Sequence, residues 1–193
     1  MKQKPVVEIP SVSQMEKELT RAKYNKQYWK VLRSTIYILV IVAAFAVLVA
    51  TLWMPVLQIY GDSMTPALEE GDIVVSVKSQ EYEAGDIIAF YYNNKILVKR
   101  VIATSGQWVD IERDGTVYVG GQMLEEPYVS GKAFGDCNLK LPYQVPESRI
   151  FVMGDHRSTS IDSRNSAVGC IADEQIVGKI VFQVWPLDKI GGL

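Results

Sequence analysis

The chain has 193 residues, 48% of them hydrophobic and 22% charged, and its 20 Lys and Arg against 22 Asp and Glu leave a net charge of −2. That balance gives no invitation to nucleic acid. With one histidine, two cysteines and no glycine-rich phosphate loop, nothing in the chain asks for a metal or a nucleotide, and no cofactor is expected.

Taken from the N-terminus, residues 1–35 are polar and basic. Lys2, Lys4, Lys17, Arg21, Lys23, Lys26, Lys30 and Arg33 stand against Glu8, Glu16 and Glu18. Within this segment Val12, Met15, Leu19 and Ala22 keep helical spacing, so a short amphipathic helix is expected, lying as a tether at the inner headgroups or binding a partner. Residues 36–57 then form an uncharged run long enough for a membrane span of about 20 residues. A cleaved signal peptide would have a shorter apolar stretch ending in small residues, whereas here Ala44-Phe45-Ala46 lies mid-run. The first charges after the run are Asp62, Glu69, Glu70 and Asp72. Positive flanks stay cytoplasmic, so the expected topology is a single-pass protein of the cell membrane, N-terminus inside and the rest outside.

Residues 58–193 are long enough for one compact domain, and their pattern is that of strands. Short β-branched and aromatic runs at 72–77, 86–92, 96–102, 108–111, 116–119, 149–153 and 179–184 are separated by turn signals. Asn93-Asn94 and Asp114-Gly115 each read as a hairpin turn. The fold class expected is mainly β, an antiparallel barrel or packed sheets. Glu125–Pro146, rich in proline and glycine, reads as a small irregular insertion.

Ser63 follows the apolar run by six residues, a reach of about 20 Å at most, which would keep its hydroxyl close to the bilayer. A serine needs a base to take its proton. The single histidine, His156, makes a Ser-His-Asp triad arithmetically available. A lysine also serves if burial keeps it neutral. Lys99 sits inside the most apolar strand, with Leu97 and Val101 as same-face neighbours, whereas Lys95 and Lys78 fall where water reaches them.

Gly61-Asp62-Ser63-Met64-Thr65-Pro66-Ala67-Leu68, Lys99-Arg100-Val101-Ile102 and Met153-Gly154-Asp155-His156-Arg157-Ser158-Thr159-Ser160-Ile161-Asp162-Ser163-Arg164 resemble the three signature boxes of bacterial type I signal peptidases. They stand in that family's order, after a single anchor, and the resemblance runs from about Gln58 to Trp185. It implies a serine endopeptidase that removes signal peptides from exported pre-proteins after a small-x-small motif, with Ser63 as nucleophile and Lys99 as base. It further implies that Ser160 orients the lysine amine. The Ser63 N–H, helped by the Gly61 position, would bind the oxyanion, and Asp155, Asp162 and Arg164 would give structural support. Ile59, Met64, Leu68 and Val98 would shape the substrate pockets. Signal-peptide-bearing pre-proteins, the lipid bilayer and a nearby secretion translocon are the implied partners.

The chain departs from the family pattern in carrying His156 where Asn is usual, a position read as loop support, and in delaying Gly169 after the third box. Cys137 and Cys170 fall in loop-like sequence, and their pairing is left open. Two other readings stand beside this one: a self-cleaving Ser-Lys peptidase of the repressor type, and a silent membrane-anchored β-domain that binds exported chains.

Overall fold

A computed structural model describes residues 11–193, and of residues 51–53 the backbone alone. Lys2, Lys4 and Glu8 of the basic flank lie outside the described residues. The chain divides into two compact units, residues 1–49 and 50–193.

The first element, α1 (Val12–Trp53), is one helix of 42 residues. At 1.5 Å per residue it is about 63 Å long, roughly twice the apolar thickness of a bilayer. It joins the expected amphipathic segment and the apolar run without a break, and it is long and apolar enough to cross a membrane. The apolar run does not stay helical to Leu57, however. Pro55 cannot donate a helical hydrogen bond and disfavours α geometry at Met54. The helix stops at Trp53, and Val56 and Leu57 belong to a strand.

The second unit is built on antiparallel strands. They are β1 (Val56–Gln58), β2 (Ile73–Val77), β3 (Ile87–Tyr92), β4 (Lys95–Ala103), β5 (Trp108–Ile111), β6 (Val117–Val119), β7 (Gln122–Met123), β8 (Tyr143–Gln144), β9 (Arg149–Met153), β10 (Ile171–Ala172), β11 (Ile176–Trp185) and β12 (Gly191–Gly192). The large sheet runs β1-β2-β11-β3-β4-β9-β10, with β12 on β11, and a smaller sheet runs β7-β6-β5-β8. The expected hairpin at Asn93-Asn94 joins β3 to β4, both asparagines at positive φ (44° and 63°), as a tight primed turn requires. The irregular stretch Glu125–Pro146 contributes only the two-residue β8. The strands that sequence periodicity missed are short edge pieces, too brief to show alternation.

Two features of this architecture position the site. The N-terminal half of β4 pairs with β3 alone, because the partnership with β9 begins only at Arg100. β1 pairs only with β2 and ends the sheet. Beneath them Ile59, Met64, Leu68, Val74, Ile87, Ala89 and Ile180 form one buried apolar cluster. Burial of such side chains contributes about 1.5–3 kcal/mol each, so the segment bearing Ser63 is moored on both of its flanks.

Candidate active site

Ser63 stands in the turn that follows β1. Just before it, Ile59 N–H donates to Asp72 O at 2.8 Å and Gly71 N–H donates to Ile59 O at 3.0 Å, tying the approach to the head of β2. Gly61 has φ +82°, and a Cβ there would touch nothing within 4 Å. Glycine is needed at this position for its backbone freedom and not for space. After the serine, Thr65 N–H and Oγ1–H both donate to Asp62 O, at 3.0 and 2.8 Å. Met64 and Leu68 then plunge into the core, at 1% and 0% exposure.

Lys99 lies in the middle of β4, opposite Ile88 of β3, and is 3% exposed. Its Nζ is hydrogen-bonded to Ser63 Oγ at 2.5 Å. Burial pushes the amine below the ordinary lysine value, against the opposing pull of the Asp162 carboxylate and with the help of Arg164. A neutral amine offers a lone pair to a hydroxyl proton. This arrangement can therefore activate the serine without a histidine.

His156 does not complete a triad. Its Nδ1 lies 3.4 Å from Asp62 Oδ2 and 3.3 Å from Thr65 Oγ1, on the flanks of the serine, while the partner of Ser63 Oγ is Lys99.

The third box closes over the dyad through charged groups. Arg100, next to the lysine, grips Asp155 in a bidentate pair at 2.9 and 2.6 Å, donates to Gly85 O and lies 4.0 Å above the Tyr128 ring. Asp162 accepts from Gly154 N–H at 3.0 Å and from Arg164 Nε and Nη2 at 2.8 and 2.9 Å. Arg164 also donates to the carbonyls of Ala133, Phe134, Arg157 and Ser160.

A further pair escaped the sequence reading. The side chains of Arg157 and Glu126 are shielded from solvent and joined at 2.5 and 3.1 Å, and Arg157 Nε donates to Gly154 O. Gly154 lies so close that a Cβ on it would collide with the Ser160 side chain and come within 2.5 Å of Ser63 O. No local signal in Glu125–Pro146 distinguishes Glu126 from its neighbour Glu125, because the pairing is made across the fold.

Two expectations are corrected. Ser160 is buried beside the dyad, but its Oγ has no hydrogen-bond partner among the described residues, so the expected bond to the lysine amine is not formed. The backbone of Ser160 is held by its N–H to His156 O and by Arg164 at its carbonyl, which leaves the hydroxymethyl packed over Gly154. Leu68, expected to shape a substrate pocket, packs wholly into the core below, since the turn from Met64 carries it inward.

Ile59, Met64 and Val98 do face a common space. With Ser63 and Lys99 they line a cleft of about 740 Å³, whose walls are residues 56–60 on one side and 95–99 on the other. Cys137 and Cys170 are both free thiols, and burial pushes the Cys170 thiol up.

A serine hydroxyl on a desolvated lysine, set in an open cleft of an antiparallel β unit, defines a serine peptidase. Residues 32–185 match the family model described as signal peptidase, peptidase S26. The chain belongs to that family. It is 38% identical over 161 residues to signal peptidase I of Bacillus caldolyticus, covering 73% of this chain and 86% of that one. It is 36% identical over 151 residues to signal peptidase IB of Staphylococcus aureus (strain COL), covering 68% and 78%. Thylakoidal processing peptidase 1 of Arabidopsis thaliana is 34% identical over 145 residues, 66% of this chain, which spans only 41% of that longer relative.

Proposed function

We propose that this chain is a membrane-anchored endopeptidase that removes signal peptides from exported pre-proteins by a Ser63–Lys99 dyad. The observation that carries the reading is the 2.5 Å contact between Ser63 Oγ and a buried lysine amine, inside a cleft walled by two open strand edges. An extended peptide entering between β1 and the first half of β4 adds a strand there, with backbone hydrogen bonds on both sides. Ile59, Met64 and Val98 narrow the cleft near the dyad and favour small side chains. That is the chemistry of a small-x-small site.

In the reaction Lys99 Nζ takes the Ser63 proton as Oγ bonds to the scissile carbonyl carbon. The charge that develops on the carbonyl oxygen is met by the Ser63 N–H and the Gly61 region. The lysine then returns its proton to the leaving amine, the C–N bond breaks, and an acyl-enzyme ester remains. Water, deprotonated by the same amine, hydrolyses that ester and restores Ser63. The apolar part of α1 serves as the anchor, and the basic residues before it favour a cytoplasmic N-terminus with the catalytic unit outside. Partners of this reading are pre-proteins, the lipid bilayer and a translocon close at hand.

Mixing the detergent-solubilised protein with a pre-protein and sequencing the new N-terminus tests the proposal. Cleavage after a small-x-small motif is expected, with Ser63→Ala and Lys99→Ala inactive yet folded. Unaltered cleavage by either variant would refute the dyad.

A further inference from the structure

We propose that His156 is a positioning residue for the nucleophile, holding Thr65 through its Nδ1–H with the Asp62 carboxylate 3.4 Å from the same nitrogen. The proposal rests on the dyad reading and adds a residue that acts on Ser63 without touching the reacting atoms.

The tautomer follows from proton counting. Thr65 Oγ1 carries one proton, and it is given to Asp62 O at 2.8 Å. Toward His156 the hydroxyl can therefore only accept, at 3.3 Å. The Asp62 carboxylate, 3.4 Å from the same ring nitrogen, is also an acceptor. Nδ1 must hold the proton, whatever the state of Nε2. The side chain is 36% exposed, so Nε2 can be satisfied by water.

The mechanical consequence is local. Asp62 and Thr65 bracket the serine, and the backbone N–H of His156 donates to Ser63 O at 3.1 Å. One residue of the third box thus holds the carbonyl of the nucleophile with its backbone and the Thr65 hydroxyl with its ring, beside the Asp62 carboxylate. His156 is in turn adjacent to Asp155, which is locked to Arg100 beside the base. The clamp sets the Ser63 Oγ direction relative to the chain segment that carries Lys99. Because the ring is absent from the walls of the cleft, substrate binding should be spared.

The experiment compares His156→Ala, His156→Asn, His156→Gln and Thr65→Val with the wild-type full chain in detergent, on a fluorogenic peptide bearing an Ala-x-Ala site. A displacement of about 1 Å in a reacting group can cost roughly 100-fold. The remaining bonds of this turn limit the effect, so His156→Ala should lower kcat on the order of tenfold with KM within about twofold. Asparagine places Nδ2 the same number of bonds from Cβ as Nδ1 of histidine, so His156→Asn should recover most of the rate. Glutamine reaches one bond too far and should not. Thr65→Val also removes the Oγ1–H bond to Asp62 O and should lose at least that factor, and combined with His156→Ala the loss should be less than the product of the two single losses, as expected for residues that share a contact.

The rising limb of the pH–rate profile, set by Lys99, should stay where it is in every variant. Wild-type kcat in His156→Ala, or equal rates for the Ala and Asn variants, would overturn the clamp. So would a fall in melting temperature with kcat of the folded protein unchanged. Loss of the pH limb in His156→Ala would make histidine the base and overturn both readings. Full activity of Lys99→Ala, by contrast, removes the dyad alone.

Discussion

Glu126→Gln tests whether the catalytic loop is held by a buried ion pair. Arg157 and Glu126 side chains are 0% and 1% exposed, and the guanidinium spends its other donor on Gly154 O, immediately beside Ser63. The substitution keeps shape and one acceptor oxygen but leaves a cation in the interior with no counter-charge. Removing one partner of a buried pair costs about 3–5 kcal/mol, and the retained acceptor places this variant near the lower figure. In a unit of this size each kcal/mol lowers the melting temperature by about 2–4 °C, so a fall of roughly 6–12 °C is expected. Thermal unfolding of the detergent-solubilised chain, followed by near-UV circular dichroism, measures it. The double variant Glu126→Leu with Arg157→Met removes both charges and should recover most of the loss, since apolar replacement of a buried pair is often neutral or better. A fall of under about 2 °C in the single variant, or a double variant no better than the single, would show that the pair is not shielded from water and sink the reasoning.

Because burial lowers the Lys99 pKa, activity should rise as pH climbs through that lowered value, below the ordinary 10.4 or so, and a pH–rate limb at the ordinary value would rule the lysine out as base. The sign for stability agrees: between the lowered folded value and the ordinary unfolded one the unfolded chain binds the extra proton, so folding grows more favourable with pH across that window, and Lys99→Met should abolish this dependence in urea titrations. A variant beginning at Met54 keeps β1 and the carbonyl of Pro55 that accepts from Ser76, and should cleave short peptides normally while losing efficiency on membrane-embedded precursors. Equal losses on both substrates would mean the apolar helix serves folding of the catalytic unit and not access to substrate.

Features carried by neighbouring residues could be read without coordinates. The uncharged run and its basic flank, the alternating strands, the Asn93-Asn94 turn and the serine box are each complete within a few residues, so their physics is local. Lys99 stood out because its strand neighbours are apolar, but its burial to 3% exposure came from the packing of the sheet. Long-range packing decided the rest. Whether Met64 or Leu68 faces the cleft depends on how the turn enters the core, and one does while the other does not. Ser160 could be placed near the base by its box, but the orientation of its hydroxyl was set by Arg164 and Gly154. Pro55 ends the helix by its own local chemistry, but that Val56 and Leu57 leave the apolar run for a strand was decided by β2, which offers them a partner. Glu126 and Arg157, 31 residues apart, meet only because the excursion from β7 folds back over the third box. An ion pair of that kind has no periodicity and no motif. Its energy comes from the exclusion of water, which the folded chain alone creates.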